Sequence, residues 1–206
     1  CVQDGKPYPL HGCNYHVADV YRSCFVEMNA YQCDKDLQQL ADVGVNCLRT
    51  GNWQDYDSFF DDEGNIRERA FRALETFFLT ACRYGMPVHF VLGAFIFNIW
   101  DRSQCPIHNP HMRKKTATAF RSFAMRFKDW NNVQIDAMNE PSYSYAGMWS
   151  LGVPSGDPYE KEHWIAWLKN RYHNDIAALR DRWGATDSQV PSFEEAGFPT
   201  GDMYGR

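Results

Sequence analysis

Along this chain the spacing of apolar residues switches repeatedly between a strand period of two and a helical period near 3.6. Asp4-Gly5 between short apolar or aromatic stretches predicts a tight hairpin turn, and Tyr8 to Tyr15 reads as the strand after it, with Asn14, Tyr15 and His16 at its far end. Leu37, Leu40 and Ala41 share one face of a helix that Asp34 caps and Gly44 stops, and Val45 to Thr50 follows as a strand closed by Arg49. Asp61 to Asn65 reads as a turn and helix start, because the alternating ligands of a calcium loop are missing. Ala70, Leu74, Phe77, Phe78 and Ala81 line the next helix as far as Gly85, and Met86 to Phe97 is a third buried run, with His89 expected as a hydrogen-bonded core histidine. Asn109-Pro110 supplies the cap and first-turn proline of a helix with Ala117, Phe120, Ala124 and Phe127 inward. It delivers the chain to Val133-Gln134-Ile135-Asp136-Ala137-Met138-Asn139-Glu140-Pro141-Ser142, where alternation through Ile135, Ala137 and Met138 predicts a buried strand that Pro141 ends.

This succession of strands and helices, with strand ends near Tyr15, Thr50, Phe95 and Asn139, predicts parallel βα units. The turn His11-Gly12-Cys13-Asn14-Tyr15 lacks the glycines of a dinucleotide fold, so a (β/α)8 TIM barrel is preferred. Such a barrel takes about 250 residues. The 206 residues therefore read as one partial domain, the N-terminal half of the barrel with strands one to four and their helices. After an aromatic, Gly-rich loop through Trp149, a single long helix from Glu162 to Trp183 is expected, with Trp164, Trp167 and Trp183 as core packing, and the tail from Ala185 shows no further strand.

Composition narrows the partners. The chain is 44% hydrophobic with a formal net charge of -5, which gives no basic footprint for nucleic acid or an anionic membrane surface. The most apolar window, Met86 to Trp100, is shorter than the roughly 18 residues of a spanning helix, so no membrane span is expected. Seven cysteines are an odd number, and Cys13, Cys47 and Cys82 fall in strand or helix patterns as small hydrophobes, which argues against a disulfide framework. The start at Cys1, without methionine or signal peptide, is expected to reflect processing or truncation.

The chemistry is bounded by what the strand ends hold. Cys105, His108 and His111 are metal-ligand types close together, but two prolines and the lack of a second cluster argue against zinc, and no Gly-x-Ser-x-Gly elbow occurs. Neither metal nor cofactor is called for. What remains is a carboxylic acid beside an amide (Glu140, Asn139), an arginine (Arg49), His16, and loop aromatics including Trp53, Trp100 and Tyr143. This set suits an oligo- or polysaccharide: aromatic faces stack on a pyranose, amide and guanidinium groups bind hydroxyls, and glycosidic cleavage needs a proton donor.

Leu48-Arg49 and Asn139-Glu140-Pro141, with the opening Asp4-Gly5-Lys6-Pro7-Tyr8 and Gly12-x-Asn14-Tyr15, resemble the signature of clan A glycoside hydrolases. These are retaining (β/α)8 enzymes that include family five cellulases and mannanases and family 42 β-galactosidases. The resemblance implies a β-glycosidase in which Glu140 is the general acid/base, Asn139 bonds the sugar 2-hydroxyl and Arg49 steadies the nucleophile. That nucleophile would be a glutamate on strand seven, beyond the strands read here, so the chain alone is expected to be inactive and to expose sheet edges. A non-catalytic carbohydrate-binding or scaffold barrel is the alternative.

Overall fold

The computed structural model describes residues 2–3, 5–17, 25–26, 28–53, 56–93, 104–105, 107–137, 139 and 156–198. The expected hairpin opens the chain. Strand β1 (Val2–Gln3) pairs antiparallel with β2 (Lys6–Pro7), Val2 opposite Pro7 and Gln3 opposite Lys6, and Gly5 between the two strands has the positive φ of 75° that suits a tight turn.

Two compact units follow from the packing, Cys1–Ile96 with Lys115–Pro141 and Phe97–Lys114 with Ser142–Arg206. The first is built on a parallel sheet, β3 (Gly12–Asn14), β4 (Cys47–Gly51), β5 (Val88–Val91) and β6 (Val133–Asp136), in the order β3-β4-β5-β6. Helices α1 (Ala30–Asp42), α3 (Glu68–Arg83) and α4 (Pro110–Phe127) connect them, with a short α2 (Tyr56–Phe59) before α3. Each of the first three strands is thus followed by a helical crossover to the next strand in the sheet, the half-barrel arrangement.

The helix-facing side of the sheet is an aromatic core. Phe78 is fully buried and meets Phe90 at 5.7 Å, Phe127 at 5.0 Å and Trp130 at 6.3 Å between ring centroids, while Phe90 stacks on Phe123 at 5.3 Å. Tyr15 stacks on Phe77 at 5.5 Å and its hydroxyl donates to Asp36 Oδ2. Phe123 sets the rotation of α4: its buried residues are Met112, Ala119, Phe123 and Phe127, whereas Ala117 and Ala124 are exposed, a face one step away from the expected one.

Local signals also differ in detail. Asn29 caps α1, its Oδ1 accepting from the Tyr31 and Gln32 amides, and Asp34 lies inside the helix, where it accepts from the Tyr84 hydroxyl. Asp61 does organise its turn, accepting from the Glu63 and Asn65 amides. Cys82 is exposed and Cys13 only half-buried, while Cys33, Cys47 and Cys105 are buried free thiols. Ile135 is 45% exposed, not buried, because β6 is an edge strand paired with β5 alone among the described residues.

At Gly51 the β4–β5 pair is too close for a side chain. A Cβ there would lie 2.5 Å from the Val91 carbonyl oxygen and 2.7 Å from Val91 Cβ. Gly51→Ala is therefore expected to cost about 1–3 kcal/mol, read as a lower urea midpoint with an unchanged slope.

The second unit carries α5 (Pro158–Arg171), α6 (Ile176–Trp183) and a 3-10 turn (Phe193–Glu195). The single long helix expected here is broken at His173 and Asn174, which both adopt left-handed φ (53° and 59°), and Asp175 caps the second piece through the Ala177 and Ala178 amides. Leu168, Leu179, Val190, Phe193 and Ala196 form its core, so the tail supplies buried residues, and none of its described residues forms a strand. Among the described residues no helix is long and apolar enough to cross a membrane.

Candidate functional site

Strand register decides which side chains share the sheet face turned away from the helices. Asn14 pairs with Arg49, Arg49 with His89 and His89 with Gln134, so these four stand side by side on the face opposite Phe90. Every strand of the sheet thus contributes one polar residue to this layer, and His89 belongs to it, half-buried, rather than to the core. Toward the carboxyl ends the same face carries Gly51, Val91 and Asp136.

At those ends the chain concentrates polar groups. Arg49 Nη2 donates to Asn139 Oδ1 at 2.8 Å and to Asp136 Oδ2 at 3.1 Å, spanning from β4 to β6 and beyond. With about a third of each side chain exposed in the Arg49–Asp136 pair, water screens the attraction, and the bond matters for orientation more than for stability. It fixes the amide: with Oδ1 occupied by the guanidinium, Nδ2 is the group of Asn139 that can donate to a ligand. Sequence reasoning missed Asp136. Its signal was the alternation Gln134, Asp136, which puts both polar residues on the inner face of a strand read for its apolar positions.

His16 and Trp53 lie beside this pair. Their ring centroids are 5.2 Å apart, and the Arg49 guanidinium carbon sits 5.9 Å from the Trp53 ring. Burial, and then the Arg49 charge, hold the His16 imidazole below the ordinary histidine range, so it is neutral at neutral pH and can accept or donate one hydrogen bond. Asn52, just past β4, is 2% exposed and its Nδ2 has no hydrogen-bond partner among the described residues. Arg49, Asn139, His16 and Trp53 are therefore brought together, while Glu140, Trp100 and Tyr143, like the strand end expected near Phe95, lie outside the described residues.

The Cys105–His111 stretch has a structural task in the second unit. Asp157 Oδ2 accepts from the Cys105 amide at 2.6 Å, Asp157 Oδ1 from the Glu160 amide at the start of α5, and Glu160 Oε2 from the Gly156 amide. The Cys105 thiol is pushed up to about 11, first by burial. Among the described residues no three His, Cys, Asp or Glu side chains group to hold a metal ion. His108 stacks on His163 at 4.1 Å, and burial followed by the second imidazole lowers its pKa. A histidine lowered in the folded state contributes stability above its unfolded value near 6.5 and loses it as pH falls through the folded value. The unfolding midpoint is thus expected to drop below about pH 6.5, and His108→Phe should flatten that drop in thermal melts at several pH values.

No protein-family model and no curated protein matches the chain. Solved structures do match in fold. GH5_18 from Streptomyces cattleya in complex with GlcNAc superposes with a TM-score of 0.57 at 20% identity, over 86% of this chain and 42% of that one. A β-galactosidase from the psychrophilic Marinomonas ef1 gives 0.57 at 15% identity (91% and 29%), and the exo-β-1,4-mannosidase Op5Man5 from Opitutaceae bacterium strain TAV5 gives 0.53 at 16% (92% and 34%). The chain spans less than half the length of each. The likeness is one of fold: these are TIM-barrel glycoside hydrolases, and the sheet described above corresponds to half of such a barrel.

Proposed function

We propose that this half-barrel carries the acid/base side of a retaining O-glycoside hydrolase acting on β-linked glycans. The observation behind the reading is the Arg49–Asn139 bond at the carboxyl ends of β4 and β6, because it fixes the amide immediately before Glu140 where a TIM barrel does its chemistry. In the reaction, Glu140 gives its proton to the glycosidic oxygen as that bond breaks, and a second carboxylate about 5 Å away bonds the anomeric carbon. Glu140, now a carboxylate, then takes a proton from water, which attacks the same carbon and releases the second carboxylate. Asn139 holds the 2-hydroxyl through Nδ2. Arg49, with five donors on a planar fork, orients Asn139 and has donors left for the nucleophile, a glutamate expected on a seventh strand. His16, Trp53 and Trp100 hold the sugar ring. The solved structures with GlcNAc and Manb1-4GlcNAc support a carbohydrate ligand.

The test is the stereochemistry of hydrolysis by the completed barrel on aryl β-glucoside, β-mannoside and β-galactoside. The β-anomer should form first in proton NMR. First formation of the α-anomer would overturn the retaining mechanism, and binding without turnover of any glycoside would favour the non-catalytic barrel. Arg49→Lys keeps the charge and loses the fork, so kcat should fall about 100-fold with the melting temperature unchanged. A variant that unfolds instead assigns Arg49 a structural role.

A further inference from the structure

Trp164 packs against the core of the second unit as expected, but Trp167 and Trp183 are more exposed than a core requires. Its buried centre is Leu168, Leu179, Val190, Phe193 and Ala196, yet Trp167 is 52% and Trp183 40% exposed. Trp164 stacks with Trp167 (centroids 5.3 Å, planes 13° apart), with Trp183 (6.4 Å, 26°) and with Phe198 (5.8 Å, 29°). Two of the indoles are pinned. Trp164 Nε1 donates to the Ala196 carbonyl and Trp183 Nε1 to the Tyr172 hydroxyl, both at 3.2 Å. Their ring planes are thus held before any ligand arrives, which lowers the ordering cost of binding.

These rings line a cavity of about 490 Å³ together with Tyr172 and Gln189, a size within the usual range for small-ligand pockets. None of the described residues lining it is charged. That argues against a phosphate or carboxylate ligand, and against single-stranded nucleic acid, which needs a positive groove along its backbone. The near-parallel planes argue against a quaternary ammonium ion, whose cage encloses the cation with rings at steep angles. What flat, pinned aromatic faces with an amide and a hydroxyl at the edge do fit is a ring with an apolar face and a polar rim. Gln189 Oε1 already accepts from Thr186 N and Oγ1, which turns its Nε2 into the donor for a ligand hydroxyl.

We infer that Trp164, Trp167 and Trp183 with Tyr172 and Gln189 form an oligosaccharide-binding site for neutral, equatorially substituted β-linked pyranoses. The choice of sugar rests in part on the proposed glycosidase reading, but the binding is independent of turnover. Isothermal titration of the wild-type protein with cellohexaose and mannohexaose, alongside Trp fluorescence, is the experiment. Trp167→Ala and Trp183→Ala should each weaken binding about tenfold, and Trp167→Tyr should restore most of it. Affinity unchanged in both alanine variants overturns the site. So does a concentration-dependent dimer in sedimentation that Trp167→Ala abolishes, since the face would then be occupied by a second copy. Oligosaccharide bound through these tryptophans while the completed barrel turns over no glycoside would sink the catalytic reading and leave this one standing.

Discussion

Glu140→Ala in the completed barrel is expected to lower turnover of natural β-glycosides about 100- to 10,000-fold, the usual worth of a positioned proton donor. The loss should depend on the leaving group. An alkoxide needs the proton, whereas an acidic phenol departs without it, so aryl glycosides should lose far less in the first, glycosylation step. Water attack on the glycosyl-enzyme would then be slow for want of a base, and added azide, which needs none, should be trapped as the β-glycosyl azide. Equal losses on alkyl and nitrophenyl glycosides, or no azide product, would remove Glu140 from the acid/base role.

Phe78→Ala is expected to cost about 3–5 kcal/mol, the range for deleting a buried aromatic ring. Phe78 is inaccessible to solvent and contacts rings from its own helix, from α4 and from β5: Phe77, Phe123, Phe127 and Phe90, with Trp130 behind. Rings held on several sides cannot collapse into the gap without leaving their own neighbours. Against a typical domain stability of about 5–15 kcal/mol, the loss would leave the sheet marginal, visible in urea titration. A loss below about 1 kcal/mol would mean that the aromatic cluster is not packed as described.

The fold was legible because its signals are redundant. In α3 the apolar residues Ala70, Leu74, Phe77, Phe78 and Ala81 are all on the buried face, which Phe71 completes, and the βα succession needed only the order of such segments. What was not legible depended on neighbours. Nothing local says that α4 turns Phe123 rather than Phe120 inward; that follows from Phe90 lying opposite it. The break at His173 and Asn174 was hidden by helical spacing continuing across it, although Asn174-Asp175 carries the turn and cap chemistry that the structure uses. At the site, Arg49 and Asn139 could be singled out from their strand ends. Their mutual bond, and the part of Asp136 in it, required the register of β4, β5 and β6 to bring positions 49, 136 and 139 into reach.

The row Asn14, Arg49, His89 and Gln134 gives the sheet face turned away from the helices a polar surface layer. An apolar inner layer would accept almost any greasy complement, as a sticky surface does. Here every donor and acceptor left unanswered under a covering surface would cost about 1–3 kcal/mol, so whatever packs on this layer has to match it in hydrogen bonds as well as in shape.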